Sequence, residues 1–224
     1  MEVADRRPRE GLVAHLLATL SLAWSRPPAG VADLLARVDQ LAWLETGAHE
    51  DYVAQVDAPA HGEPEREARY RAALARVRAL ADGGATLDLD LLARVQGLVL
   101  SGSDAASAPV RTTAAFAQDR RGGVTAYAWF DGLPAMLRRK VRVDAADGLH
   151  PLVQACRLYL DLIFFHPFAD GNARAARLWF EFLLRRGRVR VPRLLDVVRL
   201  EKVPGDRALP WRLVEVAARG LVAD

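Results

Sequence analysis

The sequence predicts an all-α fold with one β-hairpin inserted. Apolar residues recur at helical spacing along most of the chain, and a single stretch around Asp119–Gly123 carries a hairpin signal. The 224 residues are 51% hydrophobic and 26% charged, enough to bury a core without disulfide or metal staples. Disorder as the dominant state is excluded. Cys156 is the only cysteine, which excludes a disulfide framework and Cys-rich zinc modules.

The elements follow in order. Leu12, Val13, Leu16, Leu17 and Leu20 share one stripe of a helix over Arg9–Ser25, ended by Pro27-Pro28. Arg6 and Arg7 before an apolar run imitate a secretion signal, but Glu2, Asp5, Glu10 and His15 interrupt it, so the reading is a core helix. A second helix covers Val31–Glu45, with Leu34, Leu35, Val38, Leu41 and Ala42 inward and Gly47 as its stop. Pro59, Gly62 and Pro64 make His49–Glu63 a loop. A third helix, Glu65–Ala81, carries the i,i+4 pairs Glu65/Arg69 and Glu67/Arg71 and stops at Gly83-Gly84. A fourth spans Asp88–Leu100, and Ser101–Pro109 is a loop. The hairpin strands are Val110–Gln118 and Gly123–Phe130. Helices are then expected at Leu133–Val141, Leu149–Phe165, Asn172–Arg186 and Pro210–Val222, with Val189–Val191 extended. No repeat or long linker divides the chain, so residues 1–224 are expected to form one domain.

Net charge is +3, too small to define a nucleic-acid binder, and no span of 18 apolar residues exists to cross a membrane. The basic run Arg185, Arg186, Arg188, Arg190 and Arg193 reads as a solvated helix end. Composition is skewed: 29 of 31 basic residues are arginine, Ile163 is the sole isoleucine and Asn172 the sole asparagine. This is the bias of a genome rich in G and C, read as bacterial. Against it, the one remaining asparagine marks a segment to examine.

That segment is His166-Pro167-Phe168-Ala169-Asp170-Gly171-Asn172-Ala173-Arg174-Ala175-Ala176-Arg177. An apolar helix ending in Phe164-Phe165 runs into a tight Pro/Gly loop, and a second helix opens at Asn172. The first N–H groups of a helix lack intrahelical acceptors and attract anions. Arg174 and Arg177 lie three apart on one face of the first turns, against the dipole preference for acids there, which suits a polyanion. A carboxylate at Asp170 beside phosphates suggests a bridging divalent cation, and imidazole at His166 is the usual base near neutral pH. The residues therefore propose a phosphoryl- or nucleotidyl-transfer site.

The segment resembles the Fic-family signature H-x-F-x-[D/E]-G-N-[G/K]-R-x-x-R. His166, Phe168, Asp170, Gly171, Asn172, Arg174 and Arg177 fit, and Ala173 departs. His150-Pro151 and the hairpin ahead of that helix also look like the family. The resemblance covers Leu87–Arg188, with N-terminal helices over 1–86 and a helical extension over 189–224. It implies a Fic-type helical bundle whose hairpin, about 110–130, is a flap. It implies transfer of AMP from ATP to a Ser, Thr or Tyr hydroxyl of a target protein. His166 would be the base and Asp170 the Mg²⁺ ligand. Gly171, Asn172 and the Ala173 amide would cradle phosphate oxygens, Arg174 would bind the β/γ-phosphates and Arg177 the γ-phosphate. Phe168 would seat the loop in the core. Strand residues Thr125, Ala126, Tyr127, Ala128 and Trp129 would pin the target segment by main-chain pairing, with Tyr127 or Trp129 walling the pocket.

Ala173 stands where the family has Gly, or Lys in the phosphate-transferring Doc branch. Gly171, where that branch tends to carry Ala, leans the chain toward AMP transfer. Transfer of a phosphate or another nucleotide, transfer to a small-molecule acceptor instead of a protein, and nucleotide binding without chemistry are the alternatives. No Glu fits the inhibitory-helix pattern [S/T]-x-x-x-E-[G/N] of many Fic proteins, so restraint would come from a separate inhibitor chain, take another form, or be absent. A cytoplasmic setting is expected from ATP, Mg²⁺ and the lone thiol, with a secreted effector as the alternative.

Overall fold

The computed structural model describes Trp24 and residues 27–28, 30–103, 106–118, 124–127, 129–146, 148–203 and 205–223. The helix expected over Arg9–Ser25 lies outside the described residues, apart from Trp24. The described elements are α1 (Val31–Asp39), α2 (Ala48–Tyr52), a π turn (Val53–Asp57), α3 (Ala58–His61), α4 (Pro64–Asp82), α5 (Leu89–Ser101), strands β1 (Ala115–Gln118) and β2 (Val124–Tyr127), α6 (Leu133–Asp144), α7 (Pro151–Phe165), α8 (Asn172–Arg186), α9 (Leu194–Arg199) and α10 (Leu209–Val222). The fold is all-α with one antiparallel hairpin, as the sequence predicts.

α7 and α8 form the central pair. α4 and α5 pack on α8 or on each other, and α10 packs on α7 and α1. Trp179, Phe180 and Phe182 of α8 are fully buried together with Tyr70 of α4 and Phe168 of the α7–α8 loop. The helix ends follow the sequence. His150 caps α7, its Nδ1 accepting from Leu152 N at 3.1 Å with Pro151 at the first position. Asp88 caps α5 by accepting from Leu91 N at 2.7 Å. The expected Glu65–Arg69 and Glu67–Arg71 pairs form on α4.

Three expectations are corrected. The segment His49–Glu63 is helical. Its buried residues His49, Tyr52, Val53 and Asp57 recur at near-helical spacing, and the wide turn over Val53–Asp57 rotates Asp57 back onto that stripe. Pro59 sits in the first turn of α3, where no N–H is needed, and Gly62 (φ 63°) ends it, so both punctuate short helices rather than open a loop. α1 ends at Asp39, six residues short of Glu45. The chain beyond it meets the segment after α8: Ala42 O accepts from Arg190 Nε at 2.7 Å and Thr46 Oγ1 donates to Val191 O at 3.2 Å. After Val189–Val191, which lies outside helix and strand, comes a helix the sequence reading did not expect, α9.

The hairpin is shorter than expected, pairing Ala115 with Tyr127, Phe116 with Ala126, Ala117 with Thr125 and Gln118 with Val124. Beside it, Leu89, Leu133, Leu137 and Phe165 form a separate apolar cluster that Val110, Trp129, Phe130 and Met136 join. No described helix is long and apolar enough to cross a membrane.

Gly97 marks a close approach. A Cβ there would lie 1.3 Å from Ala106 O, because the loop after α5 folds back so that Ala108 N donates to Ala93 O at 2.9 Å. Gly97→Ala is expected to lower stability by about 2–3 kcal/mol or more through overpacking, read as a lower urea midpoint at unchanged slope.

Candidate active site

The site is built where α7 ends. His166 is its C-terminal cap and takes the left-handed conformation at φ 46°, uncommon for a residue with a Cβ. Arg111, buried in the segment before β1, holds it there. Its Nε donates to His166 O at 2.6 Å, its Nη2 to Phe165 O at 3.1 Å, and its own N–H to Pro167 O at 2.8 Å. A third guanidinium bond reaches Thr113 O, toward the flap.

The imidazole is fixed as well as its backbone. Nδ1 lies 3.1 Å from Ile163 O. A carbonyl only accepts, so Nδ1 carries the hydrogen and the neutral ring presents the Nε2 lone pair. Tyr127 of β2 stacks on the ring, centroids 3.8 Å apart and planes 13° apart. Burial lowers the His166 pKa, as does the Arg111 charge to a lesser degree, while the Ile163 hydrogen bond and Asp170 oppose them. The ring is held in the form a base needs.

The loop then closes on itself through Asn172. Its Oδ1 accepts from Phe168 N at 2.9 Å and its Nδ2 donates to Phe168 O at 2.8 Å. The Asn172 side chain is thus tied into the loop, leaving its backbone amide to face an anion. Gly171, at φ 73°, is the N-cap of α8, which has no side-chain cap and no acid in its first turn. A Cβ at Gly171 would lie 2.5 Å from Gln96 Nε2, which donates to Asp170 O at 2.6 Å. The positive φ favours glycine, and any Cβ would also push the Gln96 amide off its bond to Asp170 O. Ala173 is exposed, its methyl outside the packed loop.

Asp170 is the open carboxylate, its side chain 78% exposed. Oδ1 accepts from Gly171 N at 2.5 Å, and Oδ2 lies 3.4 Å from Arg174 Nη2. Arg174 is buried and also reaches Val99 O at 3.4 Å. Arg177 is buried deeper in the network. Its Nη2 donates to Asp57 Oδ1 at 3.0 Å, its Nε to Tyr70 Oη at 2.9 Å, and its guanidinium lies 4.7 Å from the Tyr52 ring centroid. Asp57 also accepts from Arg66 Nη1 at 2.9 Å. Burial would depress the Arg177 pKa, but Tyr70, Tyr52 and Asp57 together raise it. Burial pushes the Tyr70 hydroxyl up to about 12, against the pull of Arg177.

The structure thus gathers His166, Asp170, Gly171 and the uncapped start of α8 around one loop, with Tyr127 on the His166 ring. Arg174 and Arg177 each face a carboxylate. Trp129 packs in the apolar cluster rather than on His166. Thr125 and Ala126 lie in β2, and Ala128 lies outside the described residues. No described group of three or more His, Cys, Asp or Glu is placed to hold a metal ion by itself. One open carboxylate beside free amides suits Mg²⁺, which completes its shell with phosphate oxygens and water.

Residues 86–184 match the family model described as the Fic/DOC family. Among solved structures it resembles a Fic domain-containing signaling protein from Bacteroides thetaiotaomicron (17% identity, 94% of this chain and 92% of that one, TM-score 0.55). It also resembles IbpAFic2 covalently tethered to Cdc42 (14% identity, 97% and 72%, TM-score 0.53). No curated protein matches the chain.

Sequence reading missed Arg111, Gln96, Asp57 and Tyr70, which support the loop and its arginines from other elements. For His166, an NMR titration of the ring protons is expected to give a midpoint below the ordinary value of about 6.5. Because burial lowers its folded pKa, its contribution to stability is present at neutral pH and is lost as pH falls below the unfolded value. A midpoint at or above the ordinary value counts against burial of the neutral ring.

Proposed function

We propose that the protein is a Fic-type adenylyltransferase that moves AMP from ATP to a hydroxyl side chain of a target protein. The observation that carries this reading is the tautomer of His166: Nδ1–H is committed to Ile163 O, so Nε2 is the proton acceptor beside an open carboxylate and the uncapped start of α8.

In this reading His166 Nε2 takes the proton of the acceptor hydroxyl as its oxygen attacks the α-phosphorus. The bond to the β-phosphate oxygen breaks and pyrophosphate leaves. Asp170 would hold Mg²⁺, which when bound neutralises phosphate charge. The amides of Asn172 and Ala173 and the Arg174 guanidinium meet the remaining phosphate oxygens. Transfer at phosphorus depends mainly on such positioning and charge stabilisation. The open edge of the flap receives an extended target segment by main-chain pairing; that the target is a protein is in keeping with the structural neighbour IbpAFic2, which is tethered to Cdc42.

The Asp57–Arg177 pair adds restraint to this reading. A γ-phosphate needs the guanidinium that Asp57 occupies, so Asp57 supplies from α2–α3 the acid that no inhibitory-helix pattern provides.

Self-labelling with ATP traced on the α- or the γ-phosphate tests the reaction. Label from the α-phosphate alone, lost in His166→Ala, is the expected result. Label from the γ-phosphate alone would make the protein a phosphotransferase and turn attention to Ala173. Asp57→Asn tests the restraint through two opposed readouts. Removing one member of a buried pair costs about 3 kcal/mol of stability, read as a lower melting temperature. The same change tightens ATP binding in calorimetry by roughly threefold or more, since the competing charge is gone. Lower stability with unchanged or weaker ATP binding would make Asp57 a purely structural partner.

A further inference from the structure

The stack of Tyr127 on His166 has consequences beyond walling a pocket. Tyr127 lies on β2 opposite Ala115. Ala115 is buried, while Phe116, one residue along the same strand, is 69% exposed. Alternation along a strand therefore puts Ala115 and Tyr127 on the inner face of the flap. The Tyr127 ring meets the imidazole nearly parallel, at 3.8 Å.

The imidazole needs this contact. Its hydrogen bond from Nδ1 to Ile163 O, the one it makes among the described residues, fixes the tautomer and one edge of the ring. Acceptor geometry at a carbonyl is broad, so that bond alone leaves the ring free to tilt about it. A flat ring on the imidazole face removes the tilt. The groups facing His166 come from four elements: Tyr127 from β2, Arg111 from the segment before β1, the Ile163 carbonyl from α7 and Asp170 from the loop. Among these, Tyr127 is the one that covers the ring face. Burial keeps its hydroxyl protonated, so the covering ring adds no charge. Stacking also leaves the in-plane Nε2 lone pair open to an acceptor hydroxyl, because the Tyr127 ring lies above that plane.

Building on the adenylyltransferase reading, we propose that Tyr127 is a positioning residue that sets the plane of the His166 ring, so that the flap that pairs with a target segment also orients the base. β2 carries the ring that holds the imidazole. The flap then does more than present the substrate: it keeps the base aligned before a substrate arrives.

The test uses the full chain and three versions of position 127: wild type, Tyr127→Phe and Tyr127→Leu. The first readout is the NMR shift of the His166 ring protons, assigned by their loss in His166→Gln. A stacked aromatic ring displaces them upfield. Wild type and Tyr127→Phe are expected to share that displacement, and Tyr127→Leu to lose it. The second readout is self-labelling from ATP traced on the α-phosphate. Tyr127→Phe is expected to keep the wild-type rate within about twofold, while Tyr127→Leu loses about ten- to a hundredfold in kcat, the scale of a misplaced catalytic group, with KM for ATP nearly unchanged. A merely structural role would spread the loss over both constants and would not be rescued by phenylalanine. Identical His166 shifts in wild type and Tyr127→Leu overturn the positioning role whatever the labelling does. A wild type that shows the displaced shifts yet labels from neither phosphate overturns the transferase reading instead.

Discussion

The site depends on how one helix ends. α7 delivers its last carbonyls to a buried arginine, and that arginine allows His166 to turn left-handed. The left-handed conformation costs a residue with a Cβ on the order of 1–3 kcal/mol. Hydrogen bonds from a charged donor contribute about 1.5–3 kcal/mol each, and Arg111 makes two to the turn itself besides its backbone bond to Pro167 O. The balance favours the turn. The positive guanidinium also sits at the negative end of the α7 dipole. From this turn follow the direction of the imidazole, the path of Pro167 and Phe168 into the core, and the placement of Gly171 at the start of α8.

A second constraint runs behind the loop as a chain of buried polar groups. Arg66 and Arg177 share Asp57, and Arg177 reaches Tyr70. Tyr70 meets His49 Nε2 at 2.9 Å, and His49 Nδ1 donates to Glu181 Oε2 at 2.6 Å. Glu181 in turn receives Arg78, which also binds Glu50. Burial would raise the Glu181 pKa, but His49 and Arg78 hold it below the ordinary carboxylate value. Each charge here is tolerable only because its neighbour is present, since an unpaired buried ion costs several kcal/mol. The chain therefore couples α2–α3 and α4 to the helix that opens the active-site loop. It makes the first part of the fold a participant in the site rather than an addition beside the Fic core.

This coupling also explains what the sequence revealed and what it hid. The loop from His166 to Arg177 is contiguous, so its turn residue, its carboxylate and its arginines stand at fixed spacing in a readable pattern. The same holds for helices with strong periodicity, such as α8 with Leu178, Trp179, Phe182 and Leu183. Asp57, Gln96 and Arg111 lie 120, 75 and 55 residues from their partners Arg177, Gly171 and His166, and nothing local marks them. Gln96 sits among the apolar residues of α5 and reads as an ordinary helical position. The α2–α3 segment misleads because Pro59, Gly62 and Pro64 are turn residues by type, yet all three serve as helix ends. His49 and Asp57 reveal its helical character only once the wide turn between them is known.

The arginines pose the remaining electrostatic question. Arg174 and Arg177 look from the sequence like two open sockets for phosphate, yet in the fold each already has a carboxylate partner, and the two partners differ. Asp170 is exposed and 3.4 Å from Arg174, in a setting where water screens the pair and its net worth is small. It is free to exchange that contact for a cation. Asp57 is buried and 3.0 Å from Arg177, with Arg66 on its other oxygen. A phosphate that approached Arg177 would have to displace a desolvated carboxylate or lie beside it, and two anions at one guanidinium repel. In the adenylyltransferase reading, the first arginine is therefore ready for a nucleotide and the second is held back. A fold that keeps its base correctly oriented while withholding one phosphate ligand separates readiness of the proton acceptor from admission of the donor. The two conditions are met from opposite sides of the loop, the base from the flap and the arginine from α2–α3.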